Sequence, residues 1–165
     1  MADSDLAPRE PRDFPSESGP KRCYLFDIDG TVANLDHRLP YVERKPKDWR
    51  KFFDAVSKDL PIAHIIELAR DLAEAGVPIV YVSGRSDECR ADTLAWFSAH
   101  DLPLGPLYMR RAGDRRPDHI VKAELLEQIL RDGFLPSMAF DDRDQVVAMW
   151  RARGVPCAQV APGNF

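Results

Sequence analysis

Residues 23–31 read Cys23-Tyr24-Leu25-Phe26-Asp27-Ile28-Asp29-Gly30-Thr31. A short apolar run that ends in two acids and a glycine turn predicts a strand with two carboxylates at its carboxyl end. The same design recurs downstream. Val77–Val82 runs into Ser83-Gly84-Arg85, and Met138-Ala139-Phe140 runs into Asp141-Asp142. Short strands are also expected near Leu107–Arg110 and over Val155–Val160. Between them lie helical patterns. Pro61 is expected to open a helix, with Ile62, Ile65, Ile66, Ala69, Leu72 and Ala73 forming one apolar stripe. Gly76 is expected to close it as a left-handed C-terminal residue. Further helices are predicted over about 87–99, from Pro117 to Arg131, and around Val146, Val147, Met149 and Trp150 up to Gly154. Trp49, Phe52, Phe53 and Val56 suggest a short helix over 48–57.

Short apolar strands alternating with amphipathic helices imply an α/β fold: a Rossmann-like parallel sheet with helices on both faces. Open sheets of this kind bind ligands beyond the carboxyl ends of their strands. Three predicted strands end there in reactive or polar side chains: Asp27/Asp29, Ser83/Arg85 and Asp141/Asp142.

The 165 residues fit one domain of soluble composition, 44% apolar and 30% charged. No stretch approaches the roughly 18 apolar residues that span a bilayer, and no signal peptide is evident. No membrane association is expected, and the expected location is cytoplasmic. Cys23, Cys89 and Cys157 are odd in number and dispersed, which argues against disulfides and a zinc cluster. The net charge of −4 is concentrated in residues 1–20, which hold five acids and two arginines. Those residues also carry Pro8, Pro11, Pro15 and Pro20, and read as a disordered tail. The near-neutral remainder, 21–165, reads as the folded domain.

Asp27 and Asp29, two residues apart at a strand end, lean to the same side. One carboxylate can attack phosphorus to form an acyl-phosphate, which splits hydrolysis into two displacements. The other can protonate the leaving alkoxide and then deprotonate water. Gly30 allows close backbone approach, and Thr31 offers a hydroxyl donor. Several carboxylates repel a phosphate unless a cation intervenes. A Mg²⁺ suits Asp27, the Asp29 carbonyl and Asp142. Ser83 and Lys122 are placed to hold non-bridging oxygens. An Asp-x-Asp-Gly stretch also opens calcium loops, but these need a Glu at about position twelve. That position, counted from Asp27, is Arg38.

In order, Asp27-Ile28-Asp29-Gly30-Thr31, Ser83-Gly84-Arg85, Lys122 and Asp141-Asp142 resemble the four motifs of haloacid dehalogenase (HAD) superfamily phosphatases. The resemblance implies Asp27 as nucleophile, Asp29 as acid/base, Ser83, Gly84 and Lys122 around the phosphate, Asp142 as a metal ligand and Asp141 in support. Phe140–Arg151, Gly154-Val155 and Gln159–Phe165 further resemble the 3′-phosphatase domain of the bacteriophage polynucleotide kinase–phosphatase family. So do Gly113–Asp118 and Arg38 with Pro40-Tyr41. That resemblance implies that Arg38, Arg85 and Asp118 belong to the site, with the arginines holding the substrate phosphate. It also implies a small lid over about 34–60, longer here and carrying Trp49, Phe52 and Phe53.

No Gly-x-x-x-x-Gly-Lys-Ser/Thr loop occurs, so ATP-dependent 5′-phosphorylation is not expected. A separate kinase or ligase is a candidate partner. The expected activity is a Mg²⁺-dependent phosphomonoesterase acting on 3′-phosphate ends of DNA or RNA in repair. Arg110, Arg111, Arg115, Arg116 and Arg143 are candidate strand contacts. The alternatives are a phosphatase of small molecules or nucleotides and a non-catalytic scaffold. His64 reads as structural, whereas His37 and His119 fall near motif residues.

Overall fold

The structure, a computed structural model, describes residues 19–164. The expected tail over 1–20 lies outside them but for Gly19 and Pro20. Five parallel strands form one sheet: β1 (Lys21–Phe26), β4 (Ile79–Ser86), β5 (Leu107–Arg110), β6 (Phe134–Asp141) and β7 (Cys157–Gln159). Their spatial order is β5-β4-β1-β6-β7. The chain steps outward from β1 through β4 to β5, then returns to the other side of β1 for β6 and β7. The order therefore reverses between β1 and β6, which pair from Lys21↔Phe134 to Phe26↔Phe140. A crevice opens at such a reversal, beyond the strands' carboxyl ends.

Helices α3 (Ala63–Glu74), α4 (Arg90–Ala99), α5 (Asp118–Arg131) and α6 (Asp144–Ala152) connect the strands. Alternation along the strands divides the core into two layers. Cys23 and Leu25 of β1, Val80 and Val82 of β4 and Ala139 of β6 pack with Val121, Leu125 and Ile129 of α5 and Val147 and Trp150 of α6. Phe26, Ile79, Tyr81 and Phe140 face the other way, onto Ile65, Ile66 and Ala69 of α3 and Trp96 and Phe97 of α4. Each fully buried Val, Leu or Ile contributes about 1.5–3 kcal/mol. A surface pair such as Arg153–Glu127 contributes about 0–1 kcal/mol, so the layers hold the helices in place.

Strand and helix boundaries shift where hydrogen bonding overrides the sequence pattern. Pro61 does not open α3. It pairs with Ala33 in a two-stranded antiparallel ladder, β2 (Ala33–Asn34) with β3 (Leu60–Pro61), and Ile62 caps the helix. Gly76 (φ +80°) ends α3, where Gly76 N–H donates to Ala73 O and Val77 N–H to Leu72 O. Strand β4 runs past its expected end through Ser83-Gly84-Arg85, because its pairing with β5 shifts register between Ser83 and Ser86.

The β2–β3 ladder closes off an insertion. It holds two short helices, α1 (Pro40–Glu43) and α2 (Trp49–Asp54), flanked by 3-10 turns at Asp36–Arg38 and Val56–Lys58. Among the described residues, no helix is long and apolar enough to cross a membrane.

Candidate active site

The turn after β1 is built on one carbonyl. Ile28 O accepts from the N–H groups of Thr31, Val32 and Ala33, and Gly30 N–H donates to Ala33 O. Gly30 sits at φ +83°, and a Cβ there would collide with the Asp142 carboxylate. Only glycine lets this turn and the end of β6 close on one another. Asp27 N–H donates to Phe140 O, which fixes the first acid beside β6.

Carboxylate oxygens of Asp27, Asp141 and Asp142 come within 4.8 Å of one another, and all three residues are buried. Lys122 Nζ, from the first half of α5, donates to Asp27 Oδ1 (2.7 Å) and Asp141 Oδ2 (2.8 Å). Asp118, one helical turn before Lys122, lies 3.5 Å from the same nitrogen. Its other oxygen accepts from Arg110. Gly84 leaves room for that carboxylate, which a Cβ would strike. Thr31 Oγ1 donates to Asp27 Oδ2 (3.3 Å), and Ser83 Oγ accepts from Arg85 N–H (3.1 Å).

One lysine cannot balance these acids. Burial pushes Asp27 well above the ordinary carboxylate range; Lys122 draws it down, while Asp141, Asp142 and Asp118 push it further up. Burial, then Asp141, raises Asp142 to about 6. Burial opposes the charge on Lys122, but Asp118, Asp141 and Asp27 outweigh it and hold the ammonium above its ordinary value. Three clustered oxygens with excess negative charge are the donor set of a hard divalent cation. Asp27, Asp141 and Asp142 can hold a metal ion.

Asp29 faces a different environment. Its Oδ1 accepts from Arg38 Nη2 (2.6 Å) and from Arg85 Nη2 (2.6 Å) and Nε (2.9 Å). Burial opposes its charge, but Arg85 and Arg38 prevail and keep it below the usual carboxylate range. The arginines thus take up Asp29 Oδ1, and Asp29 stands outside the cluster of Asp27, Asp141 and Asp142.

Both arginines are almost wholly buried. They also grip Asp59, a residue to which the sequence reading assigned no role. Asp59 Oδ1 accepts from Arg38 Nε (2.7 Å), and Oδ2 from Arg38 Nη2 (2.8 Å) and Arg85 Nη2 (2.6 Å). His37 Nε2 approaches Asp59 Oδ1 at 2.8 Å. No spacing rule links Asp59 to its partners 21 and 26 residues away. Trp150 was also missed: its indole N–H donates to Asp141 Oδ2 (3.2 Å).

Two of the five arginines expected to contact a strand are engaged within the protein. Arg110 donates to Gly84 O and Arg116 O, and Arg116 pairs with Asp114 and Glu124. Phe52 is buried, with Arg38 stacked 4.3 Å above its ring, while Trp49 is 51% exposed. His64 is exposed rather than structural. Arg38 Nη1 and His119 Nδ1 are buried without hydrogen-bond partners among the described residues.

A five-stranded parallel sheet whose switch point gathers Asp27, Asp141, Asp142 and Lys122 defines a phosphatase of the HAD fold. The class C acid phosphatase of Bacillus anthracis with tungstate bound shares that fold: TM-score 0.65 and 15% identity over 89% of this chain and 68% of that one. Residues 21–165 match the model of the polynucleotide kinase PNKP phosphatase domain, and the chain belongs to that family.

A protein of Autographa californica nuclear polyhedrosis virus, assigned as a bifunctional polynucleotide kinase/RNA ligase, is 31% identical over 137 residues. The match covers 82% of this chain and 18% of the viral protein. A chain in the Pnkp1/Rnl/Hen1 complex superposes with TM-score 0.75 and 26% identity, over 99% of this chain and 51% of that one. A chain in the Pnkp1/Rnl/Hen1 RNA repair complex gives 0.78 and 25%, over 99% and 48%. This chain thus spans about half or less of these relatives.

Proposed function

We propose that the protein is a Mg²⁺-dependent polynucleotide 3′-phosphatase that works through an aspartyl-phosphate on Asp27. The observation that carries this reading is the cluster of Asp27, Asp141 and Asp142 oxygens with Lys122 between Asp27 and Asp141. Membership in the PNKP phosphatase-domain family supports the 3′-phosphorylated polynucleotide as substrate. Asp27, Asp142 and the Asp29 carbonyl would hold the Mg²⁺, while Asp141, whose oxygens accept from Lys122, Trp150 and the Arg143 N–H, would support them. The ion would neutralise the repulsion between Asp27 and the phosphate and orient the group for in-line attack.

An Asp27 oxygen attacks phosphorus, the bond to the 3′ oxygen breaks, and an acyl-phosphate forms. Lys122 and Ser83 hold the non-bridging oxygens, where charge accumulates. Asp29 gives a proton to the leaving oxygen. Water then attacks the acyl-phosphate, Asp29 takes its proton, and inorganic phosphate leaves. With two arginines on it, Asp29 is ionised before substrate arrives, which suits the second step. A phosphate dianion that draws on Arg38 and Arg85 weakens their hold on Asp29 and favours its protonation for the first step. Arg38 Nη1 is a spare donor for that dianion. Residues 34–60 act as the lid. The kinase and ligase named for the relatives favour a role beside such activities in RNA repair.

A substrate panel tests the reading. A 3′-phosphorylated oligonucleotide should be hydrolysed at least tenfold more efficiently than a nucleoside 3′-monophosphate. Chelation should abolish the reaction and Mg²⁺ should restore it. Asp27→Asn should lower kcat by at least about 10³, as expected for loss of a covalent nucleophile. Activity surviving in Asp27→Asn would rule out the aspartyl-phosphate route, and equal rates on mononucleotides would rule out the polynucleotide.

A further inference from the structure

The lid carries a surface that the chemistry at Asp27 does not use. Residues 44–51 read Arg-Lys-Pro-Lys-Asp-Trp-Arg-Lys, five cations against one acid, in a chain whose net charge is −4. All five cations are exposed. Arg50 lies 3.9 Å from Asp54, and Lys51 lies 3.4 Å from Asp48. Arg44, Lys45 and Lys47 have no carboxylate within ion-pair distance among the described residues. Two of them rest on aromatic rings: Arg44 is 5.4 Å from the Tyr41 centroid, and Lys47 is 5.5 Å from that of Trp49.

Trp49 stands among them half exposed, but it is rigidly backed. It stacks on Phe53 at 6.0 Å and meets Phe52 edge-on at 5.7 Å. Phe52 lies under Arg38, and Arg38 holds Asp29. Three direct contacts therefore join the exposed indole to the reaction centre. A surface tryptophan needed only for lid packing would turn its face inward, as Phe52 does.

Resting on the reading above, we propose that Arg44, Lys45, Lys47 and Trp49 form a sequence-independent binding surface for the single strand behind the terminal phosphate. Trp49 stacks on a base, and the three cations follow the phosphates. An exposed Lys–Trp contact contributes about 0.5–1 kcal/mol. A base stacked on an aromatic side chain contributes about 1–3 kcal/mol, so a base displaces Lys47 from the ring and leaves it for a phosphate.

The test uses the full chain and single-stranded oligonucleotides of about ten nucleotides, within the usual site size. Trp49→Ala should raise KM for the 3′-phosphorylated strand about tenfold, and by at least fivefold more than for a nucleoside 3′-monophosphate. Trp49→Phe should recover most of the difference. Arg44→Ala/Lys45→Ala/Lys47→Ala should lower the salt dependence of binding, log K against log salt, by about 2 for three lost single-strand contacts.

Binding of an oligonucleotide with no 3′-phosphate separates this surface from the chemistry. Wild type should bind it, and Trp49→Ala and the triple alanine variant should each bind it about tenfold more weakly. Failure of wild type to bind would overturn the proposal even if 3′-phosphatase activity were present. Equal losses on strand and mononucleotide would reduce the lid to packing and overturn it too. So would equal affinity for an acidic peptide of matched charge, which would make the surface a general polyanion patch.

Discussion

At the scale of single residues, the site is governed by how few cations serve how many buried acids. Lys122 is shared by Asp27, Asp118 and Asp141, while Arg38 and Arg85 are shared by Asp29 and Asp59. Arg110 and Arg143 also reach Asp118, which leaves Lys122 against Asp27 and Asp141 with Asp142 beside them. The first set therefore keeps negative charge over, while the second is balanced, two against two. Asp59 keeps that balance. The side chains of Arg38, Arg85 and Asp59 are fully buried, and removing one partner of such a set costs about 3–5 kcal/mol. Asp59→Asn keeps the shape and removes the charge, so thermal or denaturant unfolding should show a loss of about 3 kcal/mol. Both arginines would then bear on Asp29 alone and oppose its protonation more strongly. Steady-state kinetics should show kcat reduced about tenfold with an unchanged Mg²⁺ requirement. An unaltered kcat would mean that Asp59 only holds the lid's edge. Asp59 was illegible in the sequence for a physical reason: its partners are set by how the insertion folds back over β4, and periodicity carries no record of such pairing. Arg38 and Arg85 were legible as residues but not as buried ones.

At the scale of elements, turns position the chemistry, and their glycines do unequal things. Gly30 and Gly76 have nearly the same backbone, φ +83° and +80°. A Cβ at Gly76 meets nothing within 4 Å, whereas one at Gly30 meets the Asp142 carboxylate. Alanine at either position strains the backbone by about 1–2 kcal/mol, but only Gly30→Ala pushes Asp142 away from Asp27. Melting curves should therefore show Gly30→Ala destabilised at least as much as Gly76→Ala, which bears the backbone strain alone. Mg²⁺ titration of activity should separate them, Gly30→Ala needing at least tenfold more cation and Gly76→Ala no more than wild type. Matching Mg²⁺ requirements would deny Asp142 a place at the ion. The apolar stripe of α3 and the run of β5 were legible because burial on one or both faces imposes a period on the sequence. The start of α3 was not. Pro61 fits a first helical turn and an edge strand equally well, and the pairing of Ala33 with Pro61 decided the matter.

At the scale of the whole molecule, the order β5-β4-β1-β6-β7 draws a strand near each end of the chain to the centre of the sheet. Asp27 and Asp141 become neighbours only because β1 and β6 pair along their full length. The polar strand ends were readable, and so was the parallel sheet that aligns them. The distances among them were not, since a sequence pattern does not set register. The folded state thus confines acids that the unfolded chain would disperse, and stability is linked to pH and metal. Burial and Asp141 raise Asp142 to about 6, above the ordinary value of about 3.9 of an unfolded chain. With no metal bound, an acid raised in this way contributes stability that is present below about pH 4 and lost as pH rises through about 6. Asp27 shifts in the same direction. A divalent cation binds the ionised carboxylates and stabilises the fold only where they have lost their protons. At about 100 times its Kd the linkage is worth about 2.7 kcal/mol, or about 5–10 °C in Tm for a chain of this size. Differential scanning fluorimetry should therefore show Mg²⁺ raising Tm by about that much at pH 7.5 and by less than about 2 °C at pH 4.5. Asp142→Asn should flatten the difference between the two pH values. A Mg²⁺ effect of equal size at both would place the bound ion away from Asp27, Asp141 and Asp142.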